Sequence, residues 1–127
     1  MAPLIHLDTH VLVWLYVPAP ERLSEPARER IESGRLAASP MAVLELTFLH
    51  EIGRLRVDGP TILASLRDDL GVEVDATPFG EVVAAAHGFT WTRDPFDRLI
   101  AAQAMVAGAT LVTKDEALRT RMRTALW

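Results

Sequence analysis

The sequence predicts an α/β domain built on a mostly parallel central sheet, and three observations carry that reading. Short apolar runs of strand length alternate with helical patterns along the whole chain. Helix starts are marked repeatedly by a capping residue with proline just after it, at Ser24, Ser39, Asp58 and Asp94. Half of the 127 residues are hydrophobic, enough to bury a core in one domain of ordinary size, residues 1–127.

Leu4-Ile5-His6-Leu7 reads as a buried strand ending at Asp8, and Thr9 to Tyr16 as a helix broken by Val17-Pro18-Ala19-Pro20. Ser24 caps the next helix, with Gly34 at its end, and Leu36-Ala37-Ala38 is a short strand. Ser39-Pro40 opens a helix to about Gly53, and Asp58-Gly59-Pro60 opens another that ends near Gly71. Val72-Glu73-Val74 is a strand, Pro78 to Ala86 a helix, and His87 to Thr92 a loop. Asp94-Pro95 starts a helix to Gly108, Ala109 to Thr113 is a strand, and Asp115 to Leu126 is read as a last helix. The expected sheet has four to five strands flanked by helices.

Composition excludes several chemistries. The chain has no cysteine, so disulfides, thiolate metal sites and cysteine nucleophiles are absent. The first lysine or arginine is Arg22, which leaves no signal-peptide n-region, and the apolar stretch from Leu99 to Lys114 is too short to span a bilayer. A soluble, cytoplasmic protein without a membrane partner is expected. The formal charge of −4 runs against a generic nucleic-acid binder. Divalent cations bound among carboxylates would reverse the local sign where a phosphate approaches.

The acidic residues are placed suggestively. In an open parallel sheet, ligands gather at the carboxyl ends of strands. Asp8 follows the first strand directly and Asp115 closely follows the last. Asp94 and Asp97 lie in the first turn of the helix before that last strand, and whether they reach the same edge depends on topology. Each also has a plain structural role: Asp94 and Asp115 as helix caps, Asp97 at a position that suits the helix dipole, Asp8 as a turn residue. Glu45 is harder to explain locally. At about 100° per residue, it falls within an apolar arc of Met41, Leu44, Phe48, Leu49 and Ile52 expected to face the core. A carboxylate there is costly unless it binds a metal or pairs with a cation such as Arg98. Oxygen ligands without sulfur suit a hard cation, Mg²⁺ or Mn²⁺.

Together these segments resemble the PIN domain. Leu7-Asp8-Thr9-His10 resembles its first acidic motif, and Ser39-Pro40 followed by Glu45 resembles the second. Arg93-Asp94-Pro95-Phe96-Asp97-Arg98-Leu99-Ile100-Ala101-Ala102-Gln103-Ala104 is similar to the third motif as it occurs in VapC-like toxins, and Leu111-Val112-Thr113-Lys114-Asp115 resembles the fourth. The order is that of the family. The resemblance implies a Rossmann-like sheet and an acidic pocket holding one or two Mg²⁺ or Mn²⁺ ions. It implies hydrolysis of RNA phosphodiester bonds that leaves 5′-phosphate and 3′-hydroxyl ends. Its catalytic, metal-binding quartet falls on Asp8, Glu45, Asp97 and Asp115. Asp94 is then a ligand through water or only the helix cap, while Thr113 and Thr9 are secondary hydroxyl contributors. Partners implied by the resemblance are an RNA substrate, an antitoxin protein that covers the pocket, and a second copy in a homodimer. The helix after Asp8 and the stretch from Val17 to Pro26 are candidate contact regions.

Arg93, Arg98 and Lys114 flank the acidic motifs and are candidates for holding the substrate backbone; the alternative is ordinary solvated charge. Arg119, Arg121 and Arg123 either meet RNA or favour a helix C-terminus. Trp14, Trp91 and Trp127 either stack on bases or pack. The histidines do not form a metal-free pair. Two rival classes are weighed. A haloacid-dehalogenase phosphatase wants a second acid where His10 stands, and a receiver domain wants adjacent acids after its first strand and a phosphorylatable Asp that Asp75 fits poorly. A non-catalytic interaction module that keeps the fold is the other alternative, against which the intact acidic set argues.

Overall fold

The structure, a computed structural model, describes residues 2–127. Five parallel strands form one sheet: β1 (Leu4–Leu7), β2 (Arg35–Ala38), β3 (Glu73–Val74), β4 (Thr110–Val112) and β5 (Ala125–Leu126), in the spatial order β3-β2-β1-β4-β5. The helices between them are α1 (Thr9–Tyr16), α2 (Glu25–Ser33), α3 (Pro40–Glu51), α4 (Gly59–Leu70), α5 (Phe79–Ala86), α6 (Pro95–Ala107) and α7 (Glu116–Arg121). A 3-10 turn, Pro20–Arg22, joins α1 to α2. No helix among the described residues is long and apolar enough to cross a membrane.

Strand order follows from the connections. The chain steps outward from β1 to β2 to β3, then returns across α5 and α6 to the free edge of β1, where β4 pairs. The reversal makes the boundary between β1 and β4 a topological switch point, the place where such sheets open a crevice at the strand carboxyl ends. Ile5↔Thr110, His6↔Leu111 and Leu7↔Val112 fix the register, and the Asp8 amide continues it by donating to the Val112 carbonyl at 3.1 Å. Asp8 and the segment Thr113-Lys114-Asp115 therefore leave the sheet side by side. Ile5, Leu7, Leu111 and Val112 are fully buried at the centre. Burying each such side chain stabilises the fold by roughly 1.5–3 kcal/mol before entropy is counted.

Local signals set the helices. Ser24 Oγ accepts from the Ala27 amide, Asp58 Oδ1 from Thr61 and Ser39 Oγ from Met41, each ahead of a proline in the first turn. Gly108 ends α6 in the left-handed region at φ 69°, which costs glycine nothing. Gly59 has a different reason. A Cβ there would overlap the Val43 carbonyl oxygen and crowd Thr47 Oγ1, which accepts from the Gly59 amide at 2.9 Å. The absence of a side chain lets α4 start against α3. Gly59→Ala is therefore expected to destabilise the protein by about 3 kcal/mol through forced separation of the two helices. A urea titration reads this as a lower midpoint at unchanged slope; an unchanged midpoint would mean that α4 shifts freely.

Two expectations are corrected. The last helix does not run from Asp115 to Leu126: α7 stops at Arg121, and Ala125–Leu126 forms β5. The Leu111 amide donates to Thr124 and the Thr113 amide to Leu126, so β4 draws the C-terminal residues into an edge strand. Tertiary pairing outweighs the helical pattern of this segment. The apolar arc on α3 does not face the core either. Leu44, Phe48 and Ile52 are 53%, 43% and 51% exposed, and the buried positions of α3 are Ala42 and Leu46. Glu45 is half-buried beside that exposed row rather than enclosed in apolar packing.

Candidate active site at the sheet switch point

Asp8, Glu45, Asp94, Asp97 and Asp115 line one pocket of about 440 Å³, together with His10, Trp14 and Lys114. Four elements deliver the acids. Asp8 ends β1, Glu45 comes from the middle of α3, Asp94 and Asp97 from the start of α6, and Asp115 from the turn after β4. Packing of α3 against α6 carries Glu45 and Asp97 to the same crevice. A larger cavity of about 520 Å³ lies along β2 and β3, but its only acids are Glu73 and Asp75, Arg35 shares the lining with them, and Asp75 is already fully engaged.

The capping roles and the pocket roles coincide. Asp8 Oδ1 accepts from the Thr9 amide at 2.8 Å as the α1 cap, and Oδ2 accepts from Thr113 Oγ1 at 2.6 Å. Asp94 Oδ1 takes the amides of Phe96 and Asp97, and Asp115 Oδ1 takes that of Leu118. Capping uses one oxygen of Asp94 and of Asp115 and leaves the other without a protein partner among the described residues. The Thr113 hydroxyl, fully buried, donates to Asp8 while accepting from the Asp115 amide at 3.0 Å, so it sets the spacing of those two acids. Thr9 Oγ1 donates to Glu45 Oε1 and ties α1 to α3. Both hydroxyls occupy the positions that the sequence marked as secondary.

Electrostatics single out Asp97. Its carboxylate has no hydrogen-bond donor among the described residues, and its pKa is pushed up to about 7 by burial first, then by the charges of Asp94, Asp8, Asp115 and Glu45. Burial also raises Asp8, against hydrogen bonds from Thr113 and Thr9, and raises Glu45, against the bond from Thr9. The donor set is all oxygen, and the repulsion within it is what a divalent cation relieves, so the residues fit Mg²⁺ or Mn²⁺. No three carboxylate or imidazole groups among the described residues close on a single point as a preformed metal cage. The acids instead line an open pocket, which suits an ion that keeps several waters.

The flanking cations divide. Lys114 lines the pocket, and Arg93 is exposed before the α6 cap. Arg98 is not free for substrate: its guanidinium donates to the carbonyls of Ala86 (2.8 Å), His87 (3.3 Å) and Thr92 (3.4 Å), closing the end of α5. Nor does it pair with Glu45. His6 lies in the core with Nε2 at 3.1 Å from Asp75 Oδ2, and His10 lines the pocket.

A supporting network went unread in the sequence. Asp75 accepts from Gln103 Nε2 at 2.9 Å, Gln103 Oε1 accepts from Ser39 Oγ at 2.6 Å, and Ser39 caps α3. These contacts join β1, the end of β3, α6 and the start of α3. One signal was available: Gln103 is a polar side chain within the buried run Ile100-Ala101-Ala102-Ala104.

An α/β sheet with acids gathered at its switch point defines a class, and comparison with known proteins names it. The chain belongs to the PIN domain family, whose profile matches residues 5–121. It is 37% identical over 116 residues to Ribonuclease VapC22 of Mycobacterium tuberculosis, covering 89% of this chain and 88% of that protein. Among solved structures it resembles a toxin-antitoxin complex from Klebsiella pneumoniae, with TM-score 0.67 and 15% identity over 97% of this chain and 96% of the other. It also resembles VapBC-1 from nontypeable Haemophilus influenzae, with TM-score 0.65 and 17% identity over 98% and 96%. At these identities the structural likenesses speak for the fold.

Proposed function

We propose that this chain is a cytoplasmic Mg²⁺- or Mn²⁺-dependent endoribonuclease, the toxin of a toxin–antitoxin pair. The observation that carries the reading is the convergence of five carboxylates on one pocket, with Asp97 lifted to about 7 by burial and by its four acidic neighbours. The ribonuclease named as a relative, and the family membership, support the same assignment.

Asp8, Glu45, Asp97 and Asp115 would hold the cation, with Asp94 contributing through water. When bound, the cation supplies acidity to water and positive charge to the phosphate oxygens. Thr113 and Thr9 keep Asp8 and Glu45 aimed, so little reorganisation is left for the reacting state. One carboxylate orients the attacking water. Attack in line at phosphorus breaks the bond to the 3′ oxygen, which takes up a proton and leaves a 3′-hydroxyl and a 5′-phosphate. Lys114, which lines the pocket, would hold the substrate backbone.

An antitoxin that covers the pocket and a homodimer complete the proposal. The exposed row Leu44, Phe48 and Ile52, with Val17 at 62% exposure, leaves apolar surface suited to another protein chain.

The test is incubation of the purified chain, free of antitoxin, with a mixed RNA pool and Mg²⁺ or Mn²⁺, against EDTA and Asp8→Asn controls. Cleavage that requires both the metal and Asp8 is expected. Failure to bind Mn²⁺ in a calorimetric titration would sink the nuclease reading in favour of a non-catalytic interaction module.

A further inference from the structure

Of the residues lining the acidic pocket, Trp14 alone offers a large aromatic face. It is half-buried on α1, and its ring centroid lies 6.1 Å from that of His10 and 5.6 Å from that of Trp127. Two exposed cations rest against it: Lys114 Nζ and Arg22 Cζ are each 5.9 Å from the ring centroid. Five carboxylates are close at hand, yet among the described residues neither cation forms a salt bridge. Lys114 lines the pocket itself and Arg22 reaches the same ring from the turn after α1; two cations held over an indole that lines an acidic pocket, in a chain of net charge −4, are poorly explained by packing alone.

We propose that Trp14, Lys114 and Arg22 form a nucleotide subsite at the rim of the pocket, in which a base of single-stranded RNA stacks on the indole and the two cations take the adjoining phosphates. The inference rests on the nuclease reading and names how that site holds its substrate. The chemistry is complementary on both counts. Every base presents a π-face, so stacking on tryptophan grips RNA without demanding one sequence. Lys114 and Arg22 are long and exposed, so they swing from the ring to phosphate when the base displaces them. Their charge also offsets the repulsion that a polyanion meets on approaching five acids. A base within a duplex presents no free face, which selects unpaired RNA.

The test compares two ligands of equal length, single-stranded oligoadenylate and an abasic ribose-phosphate oligomer, binding to the non-cleaving Asp8→Asn chain with Mg²⁺ present. Trp14→Ala is expected to weaken oligoadenylate about tenfold, the order of one base stack, and to leave the abasic oligomer within twofold. Trp14→Phe should retain most of the affinity, and Lys114→Met should weaken both ligands alike and lower the salt dependence by about one ion. Trp14→Leu, which keeps apolar bulk without the π-face, makes the same comparison if the alanine variant loosens α1. Equal loss on both oligomers, or no loss on either, overturns the subsite. If the wild-type chain still cleaves the RNA pool under that result, the nuclease reading stands without it. A chain that binds neither oligomer and cleaves nothing removes both.

Discussion

Asp97→Asn is expected to abolish RNA cleavage and, in the same protein, to stabilise the metal-free fold above neutral pH. The carboxylate sits among four other acids without a donor, and its pKa is lifted from 3.8 to about 7, first by burial and then by Asp94, Asp8, Asp115 and Glu45. Between those two values the folded state holds a proton that the unfolded chain has released. Stability of the metal-free protein therefore falls as pH rises from about 4 to about 7, and the deficit stays at higher pH. The full shift corresponds to roughly 4 kcal/mol; Asp97 is only half-buried, and solvent screening brings this to about 1–2 kcal/mol. The amide variant keeps the shape and removes the charge. Thermal unfolding at pH 8 in EDTA should show a higher Tm for Asp97→Asn than for the wild type. Added Mg²⁺ should raise the wild-type Tm and leave the variant nearly unmoved. Cleavage should fall by at least about 10²-fold, as when one preorganised electrostatic group is lost. A variant that is less stable than the wild type in EDTA would show that the acids do not repel one another in the folded protein.

Asp75→Ala should lower stability by about 3 kcal/mol. Burial pushes this carboxyl up, but hydrogen bonds from Thr77 and Gln103 and the charge of His6 together hold it down at about 2. Burial pulls His6 below its ordinary value, against the charge and hydrogen bond of Asp75. The pair at neutral pH is thus a carboxylate and a neutral imidazole. The carboxylate only accepts, so Nε2 carries the ring proton, and Nδ1 is left as a buried acceptor without a partner. Removing Asp75 strands His6 Nε2, Gln103 Nε2 and the Thr77 amide together. Both shifts act in the same direction with pH. The unfolded chain takes protons first, on His6 below about 6.5 and on Asp75 below about 3.8. Stability from the pair is full above 6.5 and falls as the solution is acidified, through His6 first and then toward the folded value of Asp75 near 2. Urea midpoints between pH 8 and 4 should drop for the wild type and drop more steeply for Asp75→Ala, because burial then lowers His6 without the opposing charge and hydrogen bond of Asp75. Parallel curves would show that Asp75 does not hold the His6 pKa up.

Much of the site was legible because the same residues do two jobs. Asp94 and Asp115 announce themselves as caps, and their type and order also carry the resemblance that located the pocket. Asp8 joins them as the cap of α1. Arg98 and Glu45 were read less well. Helical periodicity puts Glu45 in a core-facing arc, but the α3 face carrying Leu44, Phe48 and Ile52 is open to solvent, and Glu45 is instead held by Thr9. By its place in the motif Arg98 is a candidate either for the substrate backbone or for ordinary solvated charge. The carbonyls that claim it, Ala86, His87 and Thr92, end α5 and begin the loop, and no local pattern says where those atoms point.

By itself the sequence determined where helices begin, because a cap and a proline act within one turn, and which acids are present, because residue type decides the chemistry available to a cation. Tertiary structure alone decided the strand order, the edge strand Ala125–Leu126 and the network from His6 through Asp75 and Gln103 to Ser39. The partners in that network lie 69, 28 and 64 residues apart, and Asp8 meets Thr113 across 105. They meet because the chain returns to the free edge of β1, a step set by packing of whole elements rather than by any neighbourhood in the sequence.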